Sequence, residues 1–445
     1  MIMITDIESL LNIWLENDRK LTTDSRPAKI DGIFWALKGE HFDGNKFAAE
    51  ALAKGASFVV VDNPDYFIPS DSRYLQVEDS LQSLQQLAKL WRQKTGVKII
   101  AVVGSNGKTT TKELLRCVLS AHNNTWASPG NLNNHIGVPL SILGISPTHQ
   151  FAIIEMGANH LKEITTLCEI AEPDAGVITS IGMDHLEGYG SIENIALSHY
   201  ELIDWLTSTN KVFCCNPEME YVKELIRKNS NNIYNSISET FNLRFVSKDL
   251  TGSSLNWKLF STSEEYNFHF SLSGSYNLEN LKLAIIIGLY FNIPAEKMQT
   301  AISKFQPGFN RSQWYSFSNQ KVLLDAYNAN PTSMKLAIQQ ILEHEYLGAG
   351  FILGDMYELG EYSEEAHKSL LANIPVNTNI KLICCGEEMK KAFNFCGITD
   401  KKWYPSYIEL LQDSDEIKKW FSGCDVFLIK GSRGMQLEKT LAIWE

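Results

Sequence analysis

From Ile99 to Glu113 the chain reads IIAVVGSNGKTTTKE. An apolar run, Ile99–Val103, stops at Gly104, and Gly107-Lys108-Thr109 opens a stretch of helix formers. A strand, a glycine turn and a helix in that order leave few choices. The strand must be buried, the turn must sit at its carboxyl end, and the helix must pack back on the sheet. The general phosphate-binding loop has four residues between its first glycine and Gly-Lys-Ser/Thr. Here only two, Ser105 and Asn106, separate Gly104 from Gly107.

Backbone N–H groups at a helix start bind anions, and glycines let a phosphate approach closely. On that reading Gly104, Ser105, Asn106, Gly107, Lys108, Thr109 and Thr110 cradle a nucleotide. Lys108 neutralises the β/γ-phosphates and Thr109 offers its hydroxyl to Mg²⁺. The alternative is a strand-turn-helix carrying an incidental Gly-Lys-Thr.

The same rhythm recurs along the chain. Strands are predicted at Lys98–Val103, Phe151–Glu155 and Gly176–Ser180, each followed by a polar or glycine turn. A second series is predicted at Lys321–Asp325, Gly350–Gly354, Lys381–Cys385 and Val426–Lys430. Such alternation indicates α/β architecture with parallel sheets and crossover helices. The alternating stretch 255–272, with Phe268, Phe270 and Leu272 on one side, reads as antiparallel strands. Residues 229–238, NSNNIYNSIS, read as a polar loop. Leu278–Tyr290 reads as a helix, and so does Glu78–Lys94, ended by Gly96.

At 445 residues the chain exceeds one ordinary core. Three domains are expected: a small amino-terminal α/β domain (1–95), a central parallel sheet of the P-loop ATPase type (96–312) and a carboxy-terminal Rossmann-like domain (313–445). A charged content of 21% and a net charge of −12, with no basic block, argue against nucleic acid or a membrane surface as main partner. No apolar window reaches about 18 residues, so no membrane span is expected. The first residues, MIMITDIESLLNIWLEND, carry acids where a signal peptide needs bases. They read as a first helix. The eight cysteines include no CxxC pair, which suits reduced thiols in a cytoplasm.

Strand ends in a parallel sheet face one crevice. Glu155 ends the strand in FAIIEMG, and a carboxylate there suits a magnesium nucleotide. His185, in ITSIGMDHLEGYGS, follows the next strand toward the same edge. GNLNNHIGVP (130–139) and DAYNANPTS (325–333) are unusually polar turns, although Asn and Pro clusters often make turns without further role.

Taken together these segments resemble the Mur ligase family. GSNGKTT fits that family's shortened GxxGK[ST] loop. TDSR (23–26), FWALKGEHFDGNKF (34–47), GNLNNHIGVP, EMGA, HLEGYGS, DAYNANPTS, LGDMYELGE and KGSRG follow in the family's order over essentially the whole chain. Within the family, DAYNANP with GNLNN is similar to the branch that adds a dipeptide. The resemblance implies an ATP-dependent ligase in the cytoplasm, acting as a monomer with Mg²⁺. It would join D-alanyl-D-alanine to a UDP-MurNAc-tripeptide through an acyl phosphate, in peptidoglycan precursor synthesis.

The site residues implied are Lys108, His185 and His199 for catalysis, and Thr109, Glu155 and His185 for metal. Asn277, Asn280, Arg311 and Asp325 would contact the nucleotide; Ser25, Arg26, Asn134, Asn328 and Asn330 would contact substrate. Alternatives are a Mur-type or folylpolyglutamate-type ligase adding one amino acid, and a catalytically impaired scaffold.

The chain departs from the family at one position that matters. Most members carry a lysine, turned by CO₂ into a carbamate that serves the second Mg²⁺, two residues before a glutamate. Aligning Glu201 with that glutamate places His199 at the lysine. Ile192, Ile195, His199, Leu202, Ile203 and Leu206 recur at helical spacing, so His199 faces inward. An imidazole forms no such stable carbamate. His199 is therefore either a core histidine or a holder of a magnesium-bound water or ATP oxygen, and the activity should not need bicarbonate. Tyr276, where many relatives have histidine, is a second departure beside the adenine residues.

Overall fold

A computed structural model describes residues 6–27, 29–39, 41–238, 241–248, 253–259, 263–308, 310–343, 346–376 and 379–445. The chain divides into two compact units. The first comprises Met1–Ala101, Asn124–Gly157 and Glu163–Asp174, and the second Val102–Asn123, Ala158–Lys162 and Ala175–Glu445.

The first unit begins with helix α1 (Ile7–Glu16), capped by the Asp6 side chain. A four-stranded parallel sheet follows, in order β1-β2-β3-β4: Leu21–Thr22, Ile33–Trp35, Phe58–Val61 and Tyr74–Gln76. The β2 triplet Ile-Phe-Trp is wholly buried, as a central parallel strand must be. Helix α2 (Ser80–Thr95) ends at Gly96 in the left-handed region, φ 63°, where glycine alone escapes the Cβ clash. Its Trp91 meets Trp14 edge to face, with ring centroids 5.1 Å apart, so the two helices share one aromatic seam.

The central sheet has the order β9-β8-β5-β7-β6. Its strands are β5 (Lys98–Val103), β6 (Thr125–Ala127), β7 (Phe151–Glu155), β8 (Ala175–Ile178) and β9 (Val212–Cys214). After Lys98 every β5 residue is buried, which explains an uninterrupted apolar run with no alternation. Strand β8 stops at Ile178, short of the Ser180 expected from sequence. Thr179 still donates its N–H to Val103 O at 3.0 Å, and beyond Ile178 the hydroxyls of Thr179 and Ser180 serve the glycine loop. Helix α3 (Lys108–Ser120) starts straight after that loop. Helix α4 (Ile192–Ser208), capped by Ser191, packs on β8. Gly176 makes this possible, since a Cβ there would lie 2.6 Å from Leu206 and 2.9 Å from Leu202.

Antiparallel strands β10 (Phe241–Lys248), β11 (Ser253–Leu259) and β12 (Glu265–Phe270) form a separate three-stranded sheet. Phe268, Phe270 and Leu272 are buried, as their alternation predicts. The polar stretch 229–238 differs from expectation: Ile233–Ser238 is a short helix. Ile233 is buried and the Tyr234 hydroxyl donates to Glu279 Oε1 at 3.0 Å, so tertiary anchoring outweighs local polarity. Glu279 lies on helix α5 (Ser275–Tyr290).

The last sheet has order β13-β14-β18-β15-β16-β17: Gln313–Phe317, Gln320–Leu324, Val426–Lys430, Ala349–Gly354, Ile380–Cys385 and Lys401–Tyr404. All pairs are parallel except the β13–β14 hairpin. Period-two alternation sends Leu323, Phe351, Leu382 and Leu428 to one apolar core and Leu324, Ile352, Ile383 and Ile429 to the other. Two covered faces are what a doubly wound sheet needs. Helix α6 (Pro331–Leu342) leaves β14 through the DAYNAN segment. All eight cysteines are free thiols. No helix among the described residues is long and apolar enough to cross a membrane.

Candidate active site

The glycine loop is laced to the end of β8. The Ser105 N–H donates to Ser180 O at 2.9 Å, and the Asn106 N–H to Ser180 Oγ at 2.9 Å. Thr179 Oγ1 donates to Asn106 O at 2.6 Å and Ser105 Oγ to Gly182 O at 3.0 Å. The glycines are required by close approach. A Cβ on Gly104, φ 136°, would fall 2.1 Å from Thr179 Oγ1, and one on Gly107, φ 83°, 2.6 Å from Asn280 Oδ1. Lys108 folds back over the loop, its Nζ donating to Gly104 O at 2.5 Å. Thr109 is buried in the first turn of α3, next to Thr110. The loop is thus pinned by its own hydrogen bonds to the end of β8, and the N-terminus of α3 with Lys108 is the part suited to an anion.

Around this loop the second unit gathers most of the sequence-predicted residues. His199 is only 4% exposed on α4, and neither ring nitrogen has a hydrogen-bond partner. Burial pushes its imidazole down to about 4; Asp184 opposes that shift, while Lys108 and His185 add to it. It is therefore neutral. Asp184, itself buried, also carries an unpartnered oxygen, Oδ1. Unmet polar atoms at depth cost about 1–3 kcal/mol each, so this cluster is built to receive something polar. His185 sits in the left-handed region, φ 48°, with Nδ1 2.5 Å from Glu358 Oε2.

On α5, Asn277 Nδ2 donates to Ser273 O at 2.8 Å, and Asn280 lies against Gly107. The Tyr276 hydroxyl donates to Gln340 Oε1 at 2.7 Å; burial, with Asp325 nearby, holds that phenol well above its ordinary range. Arg311 lays its guanidinium 3.7 Å over the Tyr327 ring, leaving a buried Nε unpartnered. Asp325 Oδ1 accepts the Ser312 N–H at 3.0 Å. The Asn328 carbonyl accepts from Lys430 at 3.1 Å. Asn330 caps α6, and its Nδ2 reaches Asn106 Oδ1 at 2.9 Å. That bond ties the DAYNAN segment of the last sheet to the glycine loop of the central one.

Ser25, Arg26, Asn134 and Glu155 belong to the first unit. Arg26 is exposed and forks onto Asp24, whose carboxyl is held down at about 2 by that guanidinium. The Ser25 carbonyl accepts from Lys54 at 2.7 Å. Asn134 Oδ1 accepts the Gly137 N–H at 2.8 Å, a turn-closing role. Glu155 is buried at the end of β7 and accepts from Asn133 Nδ2 at 3.0 Å.

Three residues lie in segments named from the sequence but were not singled out there. Lys430, 2% exposed, donates to Asp325 Oδ2 at 2.5 Å and clamps the DAYNAN segment. Asn133 holds Glu155, and Glu358 holds His185. The lysine had a signal, since a charge closing the apolar strand VFLIK is out of place unless paired. The other two lie in GNLNNHIGVP and LGDMYELGE, where nothing sets them apart from their neighbours.

Among the described residues no three His, Cys, Asp or Glu side chains form a preformed metal cage. Unpartnered acceptors on Asp184 and His199 beside a phosphate loop fit a hydrated cation.

Comparison with known proteins bears on the family and the fold. Residues 102–288 match the Mur ligase middle domain, and residues 310–433 the family model described as Mur ligase, glutamate ligase domain. The chain is 34% identical to the UDP-N-acetylmuramoyl-tripeptide–D-alanyl-D-alanine ligase of Bacillus subtilis, covering 94% of this chain and 91% of that protein. It is 27% identical to the Escherichia coli ligase of that name, covering 95% and 92%. A crystal structure of MurF from Acinetobacter baumannii superposes with a TM-score of 0.84 at 27% identity, covering 95% and 92%. The MurF ligase of Thermotoga maritima in complex with ADP shares the fold, with a TM-score of 0.80 at 23% identity over 96% and 97%. The chain belongs to the Mur ligase family.

Proposed function

We propose that this protein is the ATP-dependent amide ligase that adds D-alanyl-D-alanine to UDP-MurNAc-tripeptide in peptidoglycan precursor synthesis. Relatives of that name match nearly the whole chain. The observation that carries the reading is the Asn330–Asn106 bond. It ties the DAYNAN segment, whose combination with GNLNN marks the dipeptide-adding branch, to the glycine loop.

In the reaction the tripeptide carboxylate attacks the γ-phosphorus of ATP, ADP leaves, and an acyl phosphate forms. The dipeptide amine then attacks the acyl carbon and phosphate leaves. Both steps build negative charge on oxygen, so preorganised cations and N–H donors are the chief catalytic need. Lys108 and the amides at the N-terminus of α3 supply them. Thr109, Glu155 and His185 would hold Mg²⁺, which when bound neutralises charge between the phosphates. His199, neutral and buried, orients a water or phosphate oxygen. Asn277 and Asn280 flank the adenine, and Arg311 and Asp325 contact the nucleotide from the carboxy-terminal side. Ser25 and Arg26 bind the UDP-sugar; Asn134, Asn328 and Asn330 contact the peptide substrates. The work is divided among domains 1–95, 96–312 and 313–445, in a cytoplasmic monomer.

The test is phosphate release from ATP by the purified protein. It should need UDP-MurNAc-tripeptide and D-alanyl-D-alanine together. Equal rates with single amino acids would reject the dipeptide assignment.

A further inference from the structure

His185 and Glu358 come from different sheets. His185 opens the turn Leu186–Tyr189 after β8, and Glu358 lies in the segment after β15. Their side chains meet at 2.5 Å. The contact is built from several sides. The Glu187 N–H donates to Glu358 O at 3.2 Å, and the Tyr362 hydroxyl to Gly190 O at 2.9 Å. Leu186, Tyr189 and Ile195 share an apolar core with Met356 and Leu359. Both partners are non-glycine residues with positive φ, 48° for His185 and 62° for Glu358. Such backbone persists only where the surroundings impose it. The pair stands beside the glycine loop: three residues before His185, the Gly182 carbonyl accepts from Ser105 Oγ at 3.0 Å.

A half-exposed hydrogen bond between an imidazole and a carboxylate contributes little to stability, so the value of this one lies in orientation. An imidazole that donates Nδ1–H to a carboxylate keeps its lone pair on Nε2 and has its ring direction fixed. We propose that Glu358 is a positioning residue for His185, holding the Nδ1–H tautomer so that Nε2 faces the nucleotide-bound cation. The proposal rests on the reading above that His185 is a cation ligand. It adds that the cation site is finished by the carboxy-terminal sheet: where that sheet is undocked, His185 loses its orienting carboxylate.

The test uses Mn²⁺ as probe, with ADP, followed by the electron paramagnetic resonance signal of free Mn²⁺. Glu358→Ala should weaken Mn²⁺ binding roughly tenfold or more, the usual effect of losing a carboxylate behind a metal-bound histidine. Glu358→Gln should keep most of the affinity, because its amide oxygen still accepts from Nδ1–H. Glu358→Ala made in a His185→Ala background should add no further loss. Wild-type Mn²⁺ affinity in Glu358→Ala, or an undiminished loss in the His185→Ala background, would overturn the positioning role while leaving the ligand assignment standing. Unchanged affinity in His185→Ala alone would overturn both. None of these readings requires turnover, so they stand apart from the identity of the substrates.

Discussion

His199 and Lys430 show how this molecule keeps charge under control at depth. The His199 imidazole, pushed down to about 4 from an ordinary 6.5, resists protonation when folded but accepts a proton freely when unfolded. The unfolded state therefore binds more protons between those two values, and stability falls as pH drops through that window. From pH 7.5 to 5 the loss assigned to this group is about 2 kcal/mol. Urea unfolding at both pH values should show that loss in wild type and lack it in His199→Leu. The same imidazole takes up no CO₂ as a stable carbamate, so turnover should match in CO₂-stripped and bicarbonate-containing buffer. A marked rate loss on stripping would mean that a lysine elsewhere is carbamylated. Lys430 is the opposite case, a buried cation with three acceptors on Asp325 and Asn328. Lys430→Met leaves the Asp325 carboxylate uncompensated and should cost about 3–5 kcal/mol, with much of it recovered when Asp325→Asn is added. Denaturant midpoints of the single and double variants check this.

The strand–loop–helix from β5 to α3 is the element on which the chemistry stands. Gly107→Ala would put a Cβ 2.6 Å from Asn280 at a φ that alanine avoids. Nucleotide affinity, read by calorimetry with ADP, should fall at least about tenfold, because amides shifted by even an ångström no longer converge on phosphate. The far-UV circular dichroism should stay that of the wild type. This element was legible in the sequence because its determinants are local: β5 and β7 have the bounds expected from the sequence, Lys98–Val103 and Phe151–Glu155. The end of β8 was less so. Thr179 and Ser180 look like strand residues until the loop that claims their hydroxyls is in place. Residues 233–238 misled in the same way, a polar stretch made helical by a buried Ile233 and a Tyr234–Glu279 bond. Candidate site residues on motifs were legible one by one. The pairings that orient them, Lys430 with Asp325 and Glu358 with His185, join distant segments, and only the folded sheets bring those together.

At the scale of the whole chain, three sheets of α/β character carry motifs at their strand ends, and one bond, Asn330 to Asn106, links the last sheet to the glycine loop. A ligase of this kind must keep water from an acyl phosphate. Phosphate release should therefore be silent until every substrate is present. The decisive measurement is phosphate release from ATP with UDP-MurNAc-tripeptide and D-alanyl-D-alanine offered separately and together. The account predicts release only with both, in a one-to-one ratio with the new amide. Release with ATP alone, or none with the full set, would contradict it.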